Sequence, residues 1–520
     1  MKIQKCPQLL LVAALTVPSM SFLVGCNASS KSDKSKVWTH AELIKLTTSQ
    51  AVSQIKSGNL KSVELTQALI NQAKKHQNLN IFISLDEEGA LKKASELDEI
   101  YAAGNAQGAL FGVPVVLKDN IHAAGLRNTA GTPALSSFIP SENAPTTQAL
   151  VDAGAIVLGK VNMHELAFGI TSDNAEYGAV GNPYKPEYTA GGSSGGSAAA
   201  LAAGMAVAAL GTDTGGSVRI PAALNGVYSL RPTMGRYAQE GVTPISHTRD
   251  TVGPLARSVE DLIILDSVIT GENELVPSKA LNTLRIGVPR SYYYENLDPE
   301  MAAAAEGVIQ TLRDAGASLV EVDMLGVAEL NEKVGFPVVL YEAVEGLTRY
   351  LDIYNTGVTF SELAAMTASP DVAGLFSTLT TVDENKDGVA DGLIPESVYQ
   401  DAIRTYRPAL QALFQSYYDD NQLDAMLIPT TPLPSRKTEG LLTGVELNGD
   451  IVNTFGTYIR NTDPDSNAGL PGVAFPVALN SEGLPMGMQL GGPAHSDRAL
   501  LAIAMSVTAA LPMLPAPDLD

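Results

Sequence analysis

The sequence predicts an α/β protein in which one large domain surrounds a mostly parallel or mixed sheet. Three observations lead to this prediction. Short apolar runs of the strand type alternate with longer helical runs along the body of the chain. No segment of about 20–50 residues repeats. No Pro- or Ser-rich linker interrupts residues 60–510, which favours one large domain over three smaller ones.

The individual elements follow from local patterns, taken in chain order. A helix begins after Thr39, because Glu42 three residues later completes a capping box. Helical patterns predict further helices over 62–76, 87–103, 145–153, 198–204, 299–315 and 496–511. Short apolar runs predict strands over 113–117, 155–158, 206–210, 284–288, 318–322, 425–428, 472–477 and 486–490.

Composition excludes several classes of protein. With 520 residues, 45% of them apolar, the chain can bury a large core and is neither disordered nor fibrous. The net charge of −22 would repel phosphate backbones, so nucleic acid is not expected as a partner. The two cysteines, Cys6 and Cys26, lie near the N-terminus, and no disulfide framework or cysteine-ligated zinc site is expected in the body of the chain.

Residues 1–26 have the three-part layout of an export signal. Lys2 and Lys5 give a positive start, and the apolar run 9–15 is too short to span a bilayer comfortably. The box Leu-Val-Gly-Cys that ends at Cys26 resembles the cleavage site of bacterial lipoproteins. This resemblance implies that Cys26 is lipidated, and the alternative is an ordinary signal peptide with an incidental cysteine.

The segment after this signal, residues 27–37, is polar and low in complexity, which predicts a flexible tether ahead of a domain at 38–520. The lipoprotein resemblance implies an exported protein of the bacterial cell envelope that meets the membrane through its lipid anchor. Asn27 follows the cysteine in place of Asp, which favours the outer membrane and a periplasmic location.

Two glycine-serine segments carry the candidate chemistry. Residues 191–197 read Gly-Gly-Ser-Ser-Gly-Gly-Ser, and residues 211–217 read Gly-Thr-Asp-Thr-Gly-Gly-Ser. Both adjoin apolar elements, which a solvated linker has no reason to do. Glycines let backbone N–H groups approach a ligand closely. Ser217 is predicted to begin a short helix whose free N–H groups favour a negative oxygen, and this arrangement predicts an oxyanion hole.

Two other interpretations of these glycines are disfavoured. The spacing Gly191-x-Ser193-x-Gly195 also fits the nucleophile elbow of α/β-hydrolases. That elbow follows a buried strand, whereas residues 182–188 contain two prolines and cannot form a central strand. A Walker phosphate loop would end in Gly-Lys-Ser/Thr, and neither segment does.

A serine nucleophile needs a base, and Lys118 is a candidate. None of the six histidines lies in a motif that recommends it. Lys118 ends an apolar strand candidate, and two interpretations fit that position. It is either a lysine that reaches solvent along its long stem, or a desolvated amine with a lowered pKa that acts as a base. The strand alone does not decide between them.

The sequence resembles the amidase signature family over most of residues 60–510. The similar stretches are Gly112–Asn120, Asp152–Gly169, Gly191–Pro232, Asp424–Pro432 and Asn467–Pro493. The resemblance implies a single α/β/α domain around a mixed central sheet. It also implies an amidase that works through a seryl acyl-enzyme, with no metal or organic cofactor required.

The family works by a Ser–cis-Ser–Lys triad. Matching the motifs residue by residue implies Ser217 as the nucleophile, Ser193 as the bridging serine in a cis peptide, and Lys118 as the base. In this mechanism the neutral lysine takes a proton from Ser193, which takes one from Ser217. The resemblance thus selects the basic interpretation of Lys118.

The same matching implies residues that support the triad. The backbone N–H groups of the oxyanion hole would come from Thr214, Gly215, Gly216 and Ser217. The residues implied to support the triad through contacts around it are Ser194, Asp213 and Arg219. The loop 163–169 would border the substrate, with the backbone of Ala167 nearest the acyl group.

The substrate class follows from residues 241–251, which resemble the indoleacetamide and mandelamide hydrolase branch. This implies a small primary amide of an aromatic or other apolar acid, cleaved to acid and ammonia. Two other functions stay open. The glutaminase-type subunit of an amidotransferase shares these motifs, although it would need cytosolic partners and tRNA. A surface binding lipoprotein without catalysis is the other, and the filled triad positions count against it. An ester hydrolase would fit the same triad.

One segment departs from the family pattern. Residues 383–391, inside an insertion at about 355–397, match the first nine places of a calcium loop. The candidate ligands are Asp383, Asn385, Asp387 and Asp391. Ile394 occupies the twelfth place, where such a loop has Glu. The segment is either a structural Ca²⁺ site or a plain surface turn.

Overall fold

A mixed sheet of eleven strands forms the centre of the molecule. The structure is a computed structural model that describes residues 36–380 and 394–519. Its strands are β1 (Phe82–Leu85), β2 (Pro114–Lys118), β3 (Ile156–Val161), β4 (Gly181–Asn182), β5 (Lys185–Thr189), β6 (Ala208–Asp213), β7 (Tyr228–Arg231), β8 (Thr251–Ala256), β9 (Arg285–Val288), β10 (Ser318–Glu321), β11 (Ala425–Pro429), β12 (Val445–Leu447), β13 (Asp450–Val452), β14 (Gly472–Leu479) and β15 (Pro485–Gly491).

The strands of the central sheet follow the order β1-β3-β2-β6-β8-β7-β14-β15-β11-β9-β10. The pairs β2–β3, β2–β6, β9–β10 and β9–β11 are parallel, and the other pairs are antiparallel. Two small antiparallel sheets, β4–β5 and β12–β13, stand apart from it. The predicted α/β class with a mixed sheet is confirmed.

Helices flank this sheet. They are α1 (His40–Leu43), α2 (Thr48–Lys56), α3 (Ser62–Lys75), α4 (Glu87–Ala102), α5 (Pro145–Asp152), α6 (Gly195–Ala202), α7 (Arg219–Asn225), α8 (Val259–Thr270), α9 (Pro299–Asp314), α10 (Val327–Ile353), α11 (Phe360–Met366), α12 (Pro370–Thr380), α13 (Glu396–Asp401), α14 (Arg407–Asn421), α15 (Thr454–Ile459), α16 (Asp463–Ala468) and α17 (Asp497–Ala509). The capping box predicted from Thr39 and Glu42 opens α1.

Several elements were not predicted, chiefly β7, β8, α8 and α10. The strand β7 ends on the buried Arg231, so its sequence lacks the apolar run of a central strand. The long helix α10 contains Pro337, a residue that ordinarily ends a helix. Both elements depend on tertiary contacts that override their local pattern.

Strands β2 and β6 place the candidate site. They are fully buried, which suits their nearly unbroken apolar sequence because neither face meets water. They pair in parallel, with Leu117 beside Leu210, so their carboxyl ends reach the same edge of the sheet. Lys118 ends β2 and the segment 214–217 follows β6, and both therefore lie at that edge.

Three of the sequence predictions lie outside the described residues. They are the lipidation of Cys26 with its export signal, the tether 27–37 except for its last two residues, and the candidate calcium loop at 383–391. All three stay predictions. Among residues 36–380 and 394–519, no helix is long and apolar enough to cross a membrane. In the same part of the chain, no group of three or more His, Cys, Asp or Glu side chains could hold a metal ion.

Candidate active site

Lys118 is a fully buried lysine at the carboxyl end of β2. Its Nζ lies 2.7 Å from Ser193 Oγ and 2.8 Å from Thr212 Oγ1. Burial lowers the pKa of Lys118 to about 7, although the charges of Asp213 and Asp250 act in the opposite direction. This position does not reach solvent, so it matches the desolvated amine rather than a lysine with an extended stem. Near neutral pH, much of this amine is uncharged and able to accept a proton.

The first glycine-serine segment folds around Ser193. The peptide bond between Gly192 and Ser193 is cis, and the Ser193 side chain is fully buried. The next residue, Ser194, joins the two segments. Its N–H donates to the carbonyl oxygen of Ser217 at 3.1 Å, and its Oγ donates to the carbonyl oxygen of Thr212 at 3.2 Å. The backbone of the candidate nucleophile is thus attached directly to the segment that carries the bridging serine.

The loop after β6 presents Ser217 to a cavity. Ser217 is 8% exposed and lines the cavity together with Thr214 and Gly215. The Gly216 N–H donates to Asp213 Oδ1 at 2.7 Å. Among the described residues, the N–H groups of Thr214, Gly215 and Ser217 donate no hydrogen bond. Three of the four N–H groups predicted for the oxyanion hole are therefore available to a ligand oxygen, whereas that of Gly216 is occupied.

The helix that follows this loop begins later than predicted. The sequence predicts Ser217 as its first residue, but α7 begins at Arg219. The reason is the carboxylate of Asp213, which accepts the N–H groups of Gly216 at 2.7 Å and Val218 at 3.3 Å. The chain wraps around this carboxylate before the helix starts, so a side chain rather than a helix end organises the loop.

Asp213 is also the centre of a buried charge network. Arg219 Nε lies 3.0 Å from Asp213 Oδ2, and Arg231 Nη1 lies 2.8 Å from Asp213 Oδ1. Arg219 Nη1 also donates to both carboxylate oxygens of Asp465 at 2.9 Å. Burial alone would raise the pKa of Asp213, but the two guanidinium groups hold it well below its usual range. The carboxylate stays ionised, and its contacts with both guanidinium groups and with the Gly216 and Val218 N–H groups hold the loop 214–217, here called the oxyanion loop.

Thr214 is held from two sides. Its Oγ1 donates to Asp250 Oδ1 at 2.6 Å, and its carbonyl oxygen accepts from Arg249 Nε at 3.3 Å. Asp250 Oδ2 in turn accepts the N–H groups of Ile245 at 2.8 Å and Ser246 at 2.9 Å. These contacts fix the orientation of the Thr214 peptide unit before any ligand binds.

A cavity of about 340 Å³ opens beside Ser217. Its wall includes Ala167, from the loop predicted to border the substrate. Much of the wall is apolar, with side chains from Phe168, Ile170, Phe336, Val339, Leu375 and Phe455. The charged groups of the wall are Arg249, Asp371 and Asp463, of which Arg249 and Asp463 form an ion pair. Volume and lining suit a small molecule with an apolar body.

The loop geometry makes a prediction about Gly216. Its φ is +137°, and a Cβ at this position would overlap the Thr462 hydroxyl, which donates to the Gly215 carbonyl at 2.6 Å. We expect Gly216→Ala to displace the oxyanion loop and to lower kcat by about 10²-fold or more, the cost of one lost oxyanion donor. Steady-state kinetics and thermal unfolding measure this.

A matched control for that variant is Gly307→Ala. Gly307 lies in α9, and a Cβ there would meet no heavy atom within 4 Å. Gly307→Ala should leave kcat unchanged and stabilise the fold by up to about 1 kcal/mol. Equal activities of the two variants would contradict the importance of the loop geometry.

Some residues of the site could not be recognised from the sequence. Thr212 contacts Lys118, and its signal was a polar side chain that follows the apolar start of β6. Arg249 and Asp250 were carried by the segment 241–251, but nothing in its pattern connects them with Thr214. No sequence signal indicated that Asp371, far along the chain, borders the same cavity.

Comparison with known proteins agrees with this geometry. The family model described as Amidase matches residues 64–501. The chain is 41% identical over 462 residues to indoleacetamide hydrolase of Rhizobium radiobacter, covering 89% of this chain and 96% of that protein. It is also 41% identical over 483 residues to mandelamide hydrolase of Pseudomonas putida, covering 91% and 93%.

Solved structures share the fold. A crystal structure of an amidase superposes with a TM-score of 0.78 and 33% identity, covering 90% of this chain and 100% of the other. The peptide amidase of Stenotrophomonas maltophilia superposes with a TM-score of 0.74 and 28% identity, covering 92% and 99%. The resemblance identified from the two glycine-serine segments is thus confirmed, and the chain belongs to the amidase signature family and is an amide-hydrolysing enzyme.

Proposed function

We propose that the protein hydrolyses a small primary amide of an aromatic or apolar acid through a seryl acyl-enzyme. The observation that carries this proposal is the 2.7 Å contact between the buried Lys118 amine and the Ser193 hydroxyl. That contact supplies a base inside the protein and a hydroxyl through which its basicity can pass to a nucleophile.

The first half of the proposed reaction forms the acyl-enzyme. Neutral Lys118 accepts a proton from Ser193, and Ser193 accepts one from Ser217. The Ser217 oxygen attacks the amide carbonyl carbon, and the resulting oxyanion accepts hydrogen bonds from the free N–H groups of the loop 214–217. Because these groups are held before the substrate arrives, they need little reorganisation as the negative charge develops.

The second half releases the products. The Ser193 hydroxyl donates its proton to the departing nitrogen and is reprotonated by Lys118, and the C–N bond breaks to free ammonia. Water then takes the place of the nucleophile, gives up a proton along the same relay and attacks the acyl carbon. The carboxylic acid leaves, and Ser217 regains its proton.

The substrate class is supported by the cavity and by the relatives. The cavity wall is formed largely by aromatic and aliphatic side chains, which favour an apolar acyl group over a polar one. Two relatives at 41% identity are named indoleacetamide hydrolase and mandelamide hydrolase, and both names denote amides of acids with an aromatic ring.

A panel of amides tests the proposed function. The purified protein is incubated with indole-3-acetamide, mandelamide, 2-phenylacetamide, L-glutamine and the methyl ester of phenylacetic acid. We expect equal amounts of ammonia and carboxylic acid from the aryl amides. Turnover of glutamine alone would favour the glutaminase-type function, and turnover of the ester alone would favour an esterase. Absence of turnover with every compound would contradict the proposal.

The pKa of Lys118 predicts how the rate depends on pH. The neutral amine is the active form, and its fraction rises as the pH passes through about 7. We therefore expect kcat/KM to rise about tenfold per unit below that pH and to level off above it. A profile of kcat/KM for 2-phenylacetamide between pH 5.5 and about 9 measures this. A flat profile, or a rate that falls over this range, would contradict a lysine base.

A further inference from the structure

The wall of the catalytic cavity contains a second carboxylate besides the ion-paired Asp463, and the proposed reaction does not use it. Asp371 lies in the first turn of α12, and Leu375, one helical turn later, lines the same cavity. This face of α12 therefore borders the cavity. The Asp371 side chain is 36% exposed, so it is accessible to a ligand although its surroundings are largely apolar.

The position of Asp371 is fixed by contacts with the loop that carries Ala167. Glu165 is fully buried and accepts the N–H groups of Ala368 at 3.0 Å and Ser369 at 2.6 Å, immediately before α12. His164 Nε2 lies 2.9 Å from Asp371 Oδ2. Glu165 and His164 both belong to loop 163–169. This loop, which is predicted to border the substrate, is therefore bound to α12 beside the cavity.

Asp371 keeps its charge and has capacity for another hydrogen bond. Burial alone would raise the pKa of Asp371, but His164 and the backbone N–H groups of Val372 and Asp371 together leave the pKa below its usual value. Among the described residues its oxygens contact His164, the Val372 N–H, which is 3.0 Å from Oδ1, and the N–H of Asp371 itself. A carboxylate has about four acceptor positions, so a ligand donor can still bind.

No positive charge in the wall balances a ligand anion. Arg249 is the one basic side chain among the described residues that line the cavity. It is 3% exposed, ion-paired with Asp463, and bound to the carbonyl oxygens of Thr214 and Gly335. His164 is 1% exposed and stands behind Asp371. The charge that the cavity offers to a ligand is therefore negative.

We propose that Asp371 is a specificity-determining residue that favours acyl groups bearing a cation or an N–H donor and disfavours acyl groups bearing a carboxylate. This inference rests on the proposed amide hydrolysis and narrows its substrate class. An opposite charge in a partly dehydrated cavity attracts, and a like charge repels, more strongly than either does in water. Aryl amides with an amine or ring N–H are thus preferred over anionic ones of equal size.

Binding to an inactive protein tests the inference without turnover. In Ser217→Ala, calorimetry gives the Kd of 2-phenylacetamides that carry an aminomethyl, methyl or carboxylate group at the meta or para position. We expect the aminomethyl compound to bind at least about 30-fold more tightly than the carboxylate. Adding Asp371→Asn should reduce this ratio at least about tenfold, whereas Asp371→Glu should preserve it.

Asp352→Asn is the matched control, because it also removes one negative charge. Asp352 lies in α10 and lines a separate groove, not the catalytic cavity. A fall in the ratio of less than threefold with Asp371→Asn, or an equal fall with Asp352→Asn, overturns the inference. Turnover of 2-phenylacetamide by the unmodified protein is measured alongside. If the unmodified protein turns over 2-phenylacetamide but Asp371→Asn leaves the ratio of the two Kd values unchanged, only the role of Asp371 is refuted. An Asp371-dependent ratio without turnover refutes only the proposed function.

Discussion

Ser217→Ala is expected to lower amide hydrolysis by at least about 10⁴-fold. Of the three relay residues Lys118, Ser193 and Ser217, Ser217 is the one that lines the cavity. Removal of its hydroxyl leaves no oxygen to form the acyl-enzyme. The oxyanion loop and the cavity remain, so a small residual rate and substrate binding should persist. Ammonia release at saturating 2-phenylacetamide gives the rate.

The control for this variant is Ser136→Ala, since Ser136 is exposed and lies outside the cavity. It should retain the full rate. A second readout is covalent labelling with a fluorophosphonate, followed by intact mass spectrometry. The unmodified protein should gain one adduct and Ser217→Ala none. If Ser217→Ala kept a tenth of the activity or still took up the label, the nucleophile would have to be another residue.

Lys118→Met is expected to lower kcat by about 10³–10⁴-fold, because methionine fills similar space but accepts no proton. The melting temperature should not fall much. The substitution removes the desolvation cost of a fully buried amine, and Thr212 Oγ1 keeps a hydrogen bond from Asn120 Nδ2 at 3.0 Å. The remaining activity should lose the rise in kcat/KM around pH 7.

Lys118→Arg separates charge from basicity. A guanidinium stays protonated at every accessible pH, so this variant keeps a cation near Ser193 but offers no base. It should be as inactive as Lys118→Met if a neutral amine is required. Substantial activity of Lys118→Arg in a folded protein would show instead that the lysine acts through its positive charge.

The three candidate relay residues could be identified in the sequence because they lie in continuous motifs. Lys118 follows an apolar run, and Ser193 and Ser217 each lie in a glycine-serine segment. The side chain of Lys118 alone left two interpretations, because burial depends on what covers the end of β2. The fold shows that this end is fully enclosed. The local sequence thus identifies the three residues, whereas the tertiary structure determines the burial of Lys118 and with it the lowered pKa of its amine.

The supporting residues could not be predicted in the same way, because their partners are distant in sequence. Asp250 contacts Thr214 through a pairing that no local pattern encodes. Asp371 borders the cavity from α12, and the backbone just ahead of this helix is bound by Glu165, about 200 residues earlier in the chain. For a related reason the helix begins at Arg219 and not at Ser217, the start that the sequence predicts. The Asp213 carboxylate accepts the N–H groups of Gly216 and Val218 ahead of the helix. Such side-chain-to-backbone contacts compete with regular helix formation.

The parallel pairing of β2 with β6 has a consequence for the unfolding of this enzyme. Lys118 belongs to one strand, and Ser217 follows the other, so the proposed relay forms only when these two strands are paired. A chain cleaved in an exposed loop between them would be active only if both pieces rejoined side by side in the sheet. Recovery of turnover after dilution from denaturant would accordingly report that β2 and β6 have paired again. Partly folded species without this pairing would show no activity.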